Sequence, residues 1–241
     1  FGLVGIVPIK NNSITLGAKI LNETIGIHNK TEIKLDYAYR FQTNLNSAVS
    51  FSLSPKINIH KSNYQLIETT VNNDPNFNAE QTSIAYPNAE FGSYYYSSRF
   101  YIGFSTPNLF YNEIVNNNSY STQFSVSKLT YYIHSGYKWT LNSNNNLYSS
   151  LYLKTAYGAP TLVSLNIGWE TLKEKLLIGT SYRTSKELVA LLKLKLKQFT
   201  LGYAFQHSLT AISPYNNGTH EILLNYKIKR KNIVGLIAPR F

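Results

Sequence analysis

Residues of opposite character alternate along nearly the whole chain, and this period of two restricts it to extended structure. In the stretch LLKLKLKQFTLGYAF (191–205), Leu192, Leu194 and Leu196 fall on one parity and Lys193, Lys195 and Lys197 on the other. Successive residues of a strand point to opposite faces, so this stretch is a strand with one apolar and one basic face. Ile14, Leu16, Ala18 and Ile20 alternate in the same way with Thr15, Gly17 and Lys19. Ile33, Leu35, Tyr37, Tyr39 and Phe41 alternate with Lys34, Asp36, Ala38 and Arg40. The pattern returns at 100–105, 131–141, 163–170, 199–206 and 221–229, and no useful length shows the i, i+3, i+4, i+7 spacing of a helix. Roughly thirteen strands of about 8 to 12 residues are predicted.

Turn chemistry separates them. The segments 10–12, 142–146, 158–160 and 184–186 are short, whereas 60–90, 107–120 and 207–219 are long and rich in Asn, Pro and Ser. A soluble sandwich would have an aliphatic inner parity and mixed charge outside. Here the apolar parity carries Tyr, Phe and Trp near strand ends, and the other parity is mostly Gly, Ser, Thr, Asn and Tyr. Small polar residues suit a barrel lumen, and end-placed aromatics suit membrane-interface girdles. The expected fold is therefore all-β: a transmembrane antiparallel up-and-down β-barrel, in one domain spanning 1–241. Bacterial barrels close with an even strand number. About 13 strands in this chain become about 14 on the expectation that an N-terminal portion is missing.

Composition removes several alternatives. Zero cysteines exclude disulfide frameworks and thiol chemistry. No apolar run approaches the ~20 residues of a transmembrane helix. The net charge of +11 suggests anionic partners, but the basic residues are spread along the chain and no nucleic-acid module is present, so no nucleic-acid partner is expected. No nucleophile elbow, zincin, P-loop or dinucleotide motif occurs, so neither an enzyme, a cofactor nor a metal site is expected. His28, His60, His134, His207 and His220 lack metal-ligand spacing and read as hydrogen-bonding residues.

Two sets of partner-binding candidates remain. If the leucines of 191–196 face lipid, Lys193, Lys195 and Lys197 line the interior with Arg40 and Arg183, a basic surface for an acidic or carboxylate-bearing segment. In the long loops, Tyr64, Phe77, Tyr86, Phe110, Tyr111 and Tyr215 offer aromatic anchors.

Several longer blocks carry a resemblance. PIKNNSITLGAKILNETIG (8–26), DYAYRF (36–41), PNAEFGSYYYSSRFYIGFSTPNLF (87–110), GYAFQHSLTAISPYNNGTHEILLNY (202–226) and APRF (238–241) resemble, in order, the PorP/SprF family of type IX secretion system outer-membrane proteins. The most specific positions are Tyr94, Tyr95, Tyr96 and Arg99 in one block and His220 and Glu221 in another. The resemblance implies a non-enzymatic protein in the outer membrane of a Gram-negative bacterium, in contact with lipid bilayer and lipopolysaccharide. It also implies that the protein binds, exports or anchors a secreted adhesin or other type IX cargo through the cargo's C-terminal domain, in some members for gliding motility. Implied partners further include other type IX components, among them a periplasmic peptidoglycan-linked lipoprotein. A passive pore with a cationic lumen is the alternative reading.

Overall fold

A computed structural model describes residues 1–9, 13–64, 82–116, 119–211 and 213–228. Strands dominate: β1 (Gly2–Ile9), β2 (Ile14–Ile25), β3 (His28–Asn44), β4 (Ser47–Ser62), β5 (Thr82–Ser97), β6 (Phe100–Thr106), β7 (Tyr111–Asn116) and β8 (Ser119–Gln123). They are followed by β9 (Tyr131–Thr140), β10 (Asn146–Ala156), β11 (Ala159–Thr171), β12 (Leu176–Arg183), β13 (Glu187–Leu196), β14 (Phe199–Ser208) and β15 (Thr219–Tyr226). No helix of the described residues is long and apolar enough to cross a membrane. Tight turns join many neighbours. Gly26, at φ 57, reverses β2 into β3 in the left-handed conformation glycine tolerates. The β11–β12 turn uses Leu172, Lys173 and Glu174 at φ 53, 55 and 66, a conformation that costs a side-chain-bearing residue about 1–2 kcal/mol.

Among the described residues the main sheet has 13 strands in the order β1-β2-β3-β4-β5-β6-β9-β10-β11-β12-β13-β14-β15, and β7 and β8 form a separate two-stranded sheet. This order corrects the expected closed barrel. Among the described residues it is linear: β1 neighbours β2 alone and β15 neighbours β14 alone, so the sheet they form is open. Registered neighbours run antiparallel. In an antiparallel meander of thirteen strands the first and last point the same way, and joining them would require a parallel pair that breaks the ladder's pattern.

Element boundaries shift the loop assignments as well. Because β4 continues to Ser62 and β5 begins at Thr82, Tyr86, Asn88 and Glu90 are strand residues rather than loop residues. The segment 107–120 contains β7 and the start of β8, whereas 207–219 keeps its irregular character around a short 3-10 turn, Ser213–Tyr215. Phe77 and the 238–241 ending lie outside the described residues.

The chain divides into two compact units, one built from Phe1–Phe41, Ser50–Ser93 and Ser105–Thr130, the other from Gln42–Val49, Tyr94–Phe104 and Tyr131–Phe241. In both, burial is the reverse of a water-soluble protein. Leu192 and Leu196 are 44% and 54% exposed, and Ile33, Leu35, Leu165 and Ile167 are also exposed. Glu32, Lys56, Asn58, Asn146, Ser164 and Glu170 are buried. Charged side chains are almost never buried unless paired, and the first unit pairs them. Glu32 of β3 accepts from Lys19 of β2 at 3.1 Å and from Lys56 of β4 at 2.9 Å. Lys34 bridges Asp36 at 3.2 Å and Glu90 of β5 at 3.0 Å.

The second unit is held by an acidic centre and a ring cluster. Glu170 of β11, 1% exposed, accepts from Asn146 at 3.1 Å and Tyr148 at 2.6 Å on Oε2, and from Lys195 at 3.1 Å on Oε1. Tyr94 packs its ring 5.5 Å from Tyr96, 5.6 Å from Tyr101 and 5.5 Å from His134, with fully buried Ala48 completing the cluster. Gly103 and Gly136 make room for these rings: a Cβ on Gly103 would collide with His134, and one on Gly136 would lie 2.5 Å from Tyr101.

Candidate functional site

The expected basic interior does not form as one patch. Lys195 is occupied by Glu170. Arg183 donates to Gln206 at 2.8 Å and pairs with Glu187 at 3.4 Å. The register sets Arg183 opposite Glu187 and Lys193 opposite Leu177, so Arg183 and Lys193 sit at opposite ends of β12, about 20 Å apart at 3.3 Å per residue. Lys197 lies beyond β13 in a turn at φ 52 and is exposed, and Arg40 belongs to the other unit. Parity was visible in the sequence. The carboxylates that neutralise these cations were not, because register chooses them: Glu187 meets Arg183 across a tight hairpin, and Glu170 meets Lys195 from a strand 25 positions earlier.

The aromatic set fares differently. Three of its members, Tyr86 of β5, Phe110 before β7 and Tyr111 at the start of β7, line one cleft of about 230 Å³ in the first unit. Asn88 anchors it: its Nδ2 donates to the Phe110 carbonyl at 2.9 Å, and its Oδ1 accepts from the Phe110 amide at 3.2 Å and the Ala89 amide at 2.8 Å. A buried side-chain amide satisfied by backbone on both atoms fixes the loop that carries Phe110. Tyr86 is held from the other side. Its hydroxyl and His60 Nε2 are 2.8 Å apart, the two rings stack at 5.4 Å, and Tyr120 of β8 packs 5.8 Å away.

Facing these, Lys128 ends a 3-10 turn, Val126–Lys128, and places its ammonium 4.3 Å from the Tyr111 ring centroid, a cation–π contact. No carboxylate pairs it among the described residues. Asn112 also lines the cleft. Its Oδ1 accepts from Thr122 at 2.7 Å, while its Nδ2, sealed from solvent, has no acceptor. The site therefore combines aromatic walls, a cation and an unmet amide donor.

Sequence reading found the three aromatics but missed Asn88, Asn112 and Lys128. The signal for Asn88 was present in the block 87–110. Lys128 carries no local signature, since only folding of the β7–β8 hairpin brings it to Tyr111. Of the other aromatic candidates, Tyr64 is half-buried just after β4 and Tyr215 is exposed, both apart from the cleft lining.

The remaining singled-out residues have structural partners. Tyr94 and Tyr96 belong to the ring cluster, Tyr95 is exposed beside Phe100, and the carbonyl of Arg99 accepts from the Lys138 amide at 2.7 Å. His220 Nδ1 lies 2.8 Å from the Tyr203 hydroxyl, and Glu221 sits opposite Ala204. His28 meets Ser62 at 2.8 Å and His207 meets Ser213 at 3.2 Å. Among the described residues no group of three or more His, Cys, Asp and Glu could hold a metal ion.

No curated protein matches the chain. The family model described as type IX secretion system membrane protein PorP/SprF matches residues 1–226. With nearly the whole chain matched and its apolar faces turned outward, the chain belongs to the PorP/SprF family, non-catalytic outer-membrane components of Gram-negative bacteria associated with type IX secretion.

Proposed function

We propose that the chain holds a secreted surface protein at the outer membrane, engaging the C-terminal domain of that adhesin or other type IX cargo during its export or attachment. The observation that carries this reading is the aromatic and amide cleft around Tyr86, Asn88, Phe110, Tyr111 and Lys128. Aromatic anchors with fixed polar neighbours are the composition of protein-recognition surfaces. An anion-conducting pore is less well supported, because Lys195 and Arg183 already have carboxylate partners. Gliding motility and contact with a periplasmic, peptidoglycan-linked lipoprotein belong to the same proposal as consequences of family membership.

The test is affinity purification of the full-length protein from native outer membranes, followed by mass spectrometry. A large secreted protein recovered with the chain, and lost when its C-terminal domain is deleted, is the expected result. Recovery of no secreted protein defeats the reading.

A further inference from the structure

We infer that the cleft between β5, β7 and the Lys128 turn binds the carboxylate end of a polypeptide whose last residue is apolar or aromatic. The inference deepens the reading above and rests on it for the biological source of the peptide. Three independent features of the cleft point to this chemistry.

The first is charge. Lys128 keeps its ammonium over the Tyr111 ring, inside the cleft, with no carboxylate partner among the described residues. Ring contact leaves the ammonium's other N–H donors available, and a carboxylate is the partner that gives the strongest hydrogen bonds. The second is the unmet donor. Asn112 Nδ2 has no acceptor while its Oδ1 is fixed by Thr122. A buried donor without a partner costs about 1–3 kcal/mol, so a turn of the Asn112 side chain that brings Nδ2 into the cleft to meet an incoming oxygen is favoured.

The third is size. About 230 Å³ is below the roughly 300–1,000 Å³ of pockets for drug-sized ligands. This accommodates a chain end more readily than a segment that enters and leaves. Tyr86 and Phe110 supply an apolar wall for the terminal side chain, and both are held in place, Tyr86 by His60 and Phe110 by Asn88. The site is thus organised before any ligand arrives, which lowers the ordering cost of binding.

The test uses full-length protein in detergent micelles and two probes, N-acetyl-L-phenylalanine and its C-terminal primary amide, with affinities measured by ligand-observed NMR. The acid is expected to bind at least tenfold more tightly than the amide, and Lys128→Gln to abolish that preference. Asn112→Leu is expected to weaken the acid without restoring affinity for the amide. Equal affinity for the two probes, no binding of either, or an acid preference that survives Lys128→Gln overturns the inference. The acid–amide comparison needs no variant, so it stands even if a substitution fails to fold. Loss of the probe site with cargo capture intact defeats the inference alone. A charge-selective probe site in a protein that captures no secreted partner defeats the functional reading alone.

Discussion

Replacing Glu170 by leucine should be among the most damaging single changes in the second unit, and the structure gives its size. The carboxylate is 1% exposed and is met by three donors: Asn146 and Tyr148, both buried, and Lys195, whose side chain is 39% exposed. Leucine leaves all three without their acceptor. A buried donor stripped of its partner costs about 1–3 kcal/mol, which gives roughly 2–6 kcal/mol for Asn146 and Tyr148 together. Lys195 can turn to water, so its share is held to about 1 kcal/mol or less. The total is about 2–7 kcal/mol. Glu170→Gln keeps an acceptor for Tyr148 and Asn146 but turns an amide donor toward the ammonium, and should cost about 1–2 kcal/mol. Urea unfolding in micelles, followed through Trp169 beside the site and Trp139 as the chain's other tryptophan, measures both. Combining Glu170→Leu with Lys195→Met should cost less than the sum of the two single changes, because the second removes a cation already orphaned by the first. If Glu170→Leu unfolds within about 0.5 kcal/mol of the parent, as an ordinary surface change would, the buried-acceptor account is wrong.

Lys56→Met strips Glu32 of its more buried partner and should destabilise by about 3 kcal/mol in the same urea assay, whereas Lys19→Met, at a more exposed position, should cost about 1 kcal/mol or less. Gly136→Ala pushes the Tyr101 ring from its place and should cost about 1–3 kcal/mol, visible as altered tyrosine signals in near-UV circular dichroism. Lys173→Gly relieves one of three successive left-handed residues and should stabilise by about 0.5–1 kcal/mol, read as a higher urea midpoint. Asn88→Ala frees the Phe110 loop and should reduce cargo recovery in the purification assay while leaving the unfolding free energy within about 2 kcal/mol of the parent.

The strands were legible because period-two alternation survives any tertiary context, and the lysines and leucines of β13 show it most plainly. Leu192 and Leu196 are exposed and Lys195 is turned to a buried acid, the inward and outward assignment that the alternation alone supports. Closure was not legible. The odd strand number stood in the alternation pattern, but pairing between the two ends of an order is a long-range event with no local trace, and the open order leaves them unpaired. The β7–β8 hairpin was missed for a different reason. Its strands are five and six residues long and mostly polar, so their alternation is weak beside the Asn-rich turn signal. Half of the candidate cleft could be read from aromatic content, and half could not, because Lys128 reaches Tyr111 through the fold of that hairpin rather than through sequence proximity.

The Glu170 centre also constrains the alignment of β13. Asn146 and Tyr148 precede it in the chain and face it across one hairpin, whereas Lys195 follows 25 positions later on a strand that is not β11's neighbour. The β10–β11 hairpin thus supplies both donors to Oε2 of Glu170 and leaves Oε1 to Lys195 of β13. A slip of β13 by one residue would present leucine to Oε1 and turn the lysines outward, inverting every side chain on the strand. The buried acid thus acts as a proofreading contact, rewarding β13 in one alignment and penalising its nearest alternatives.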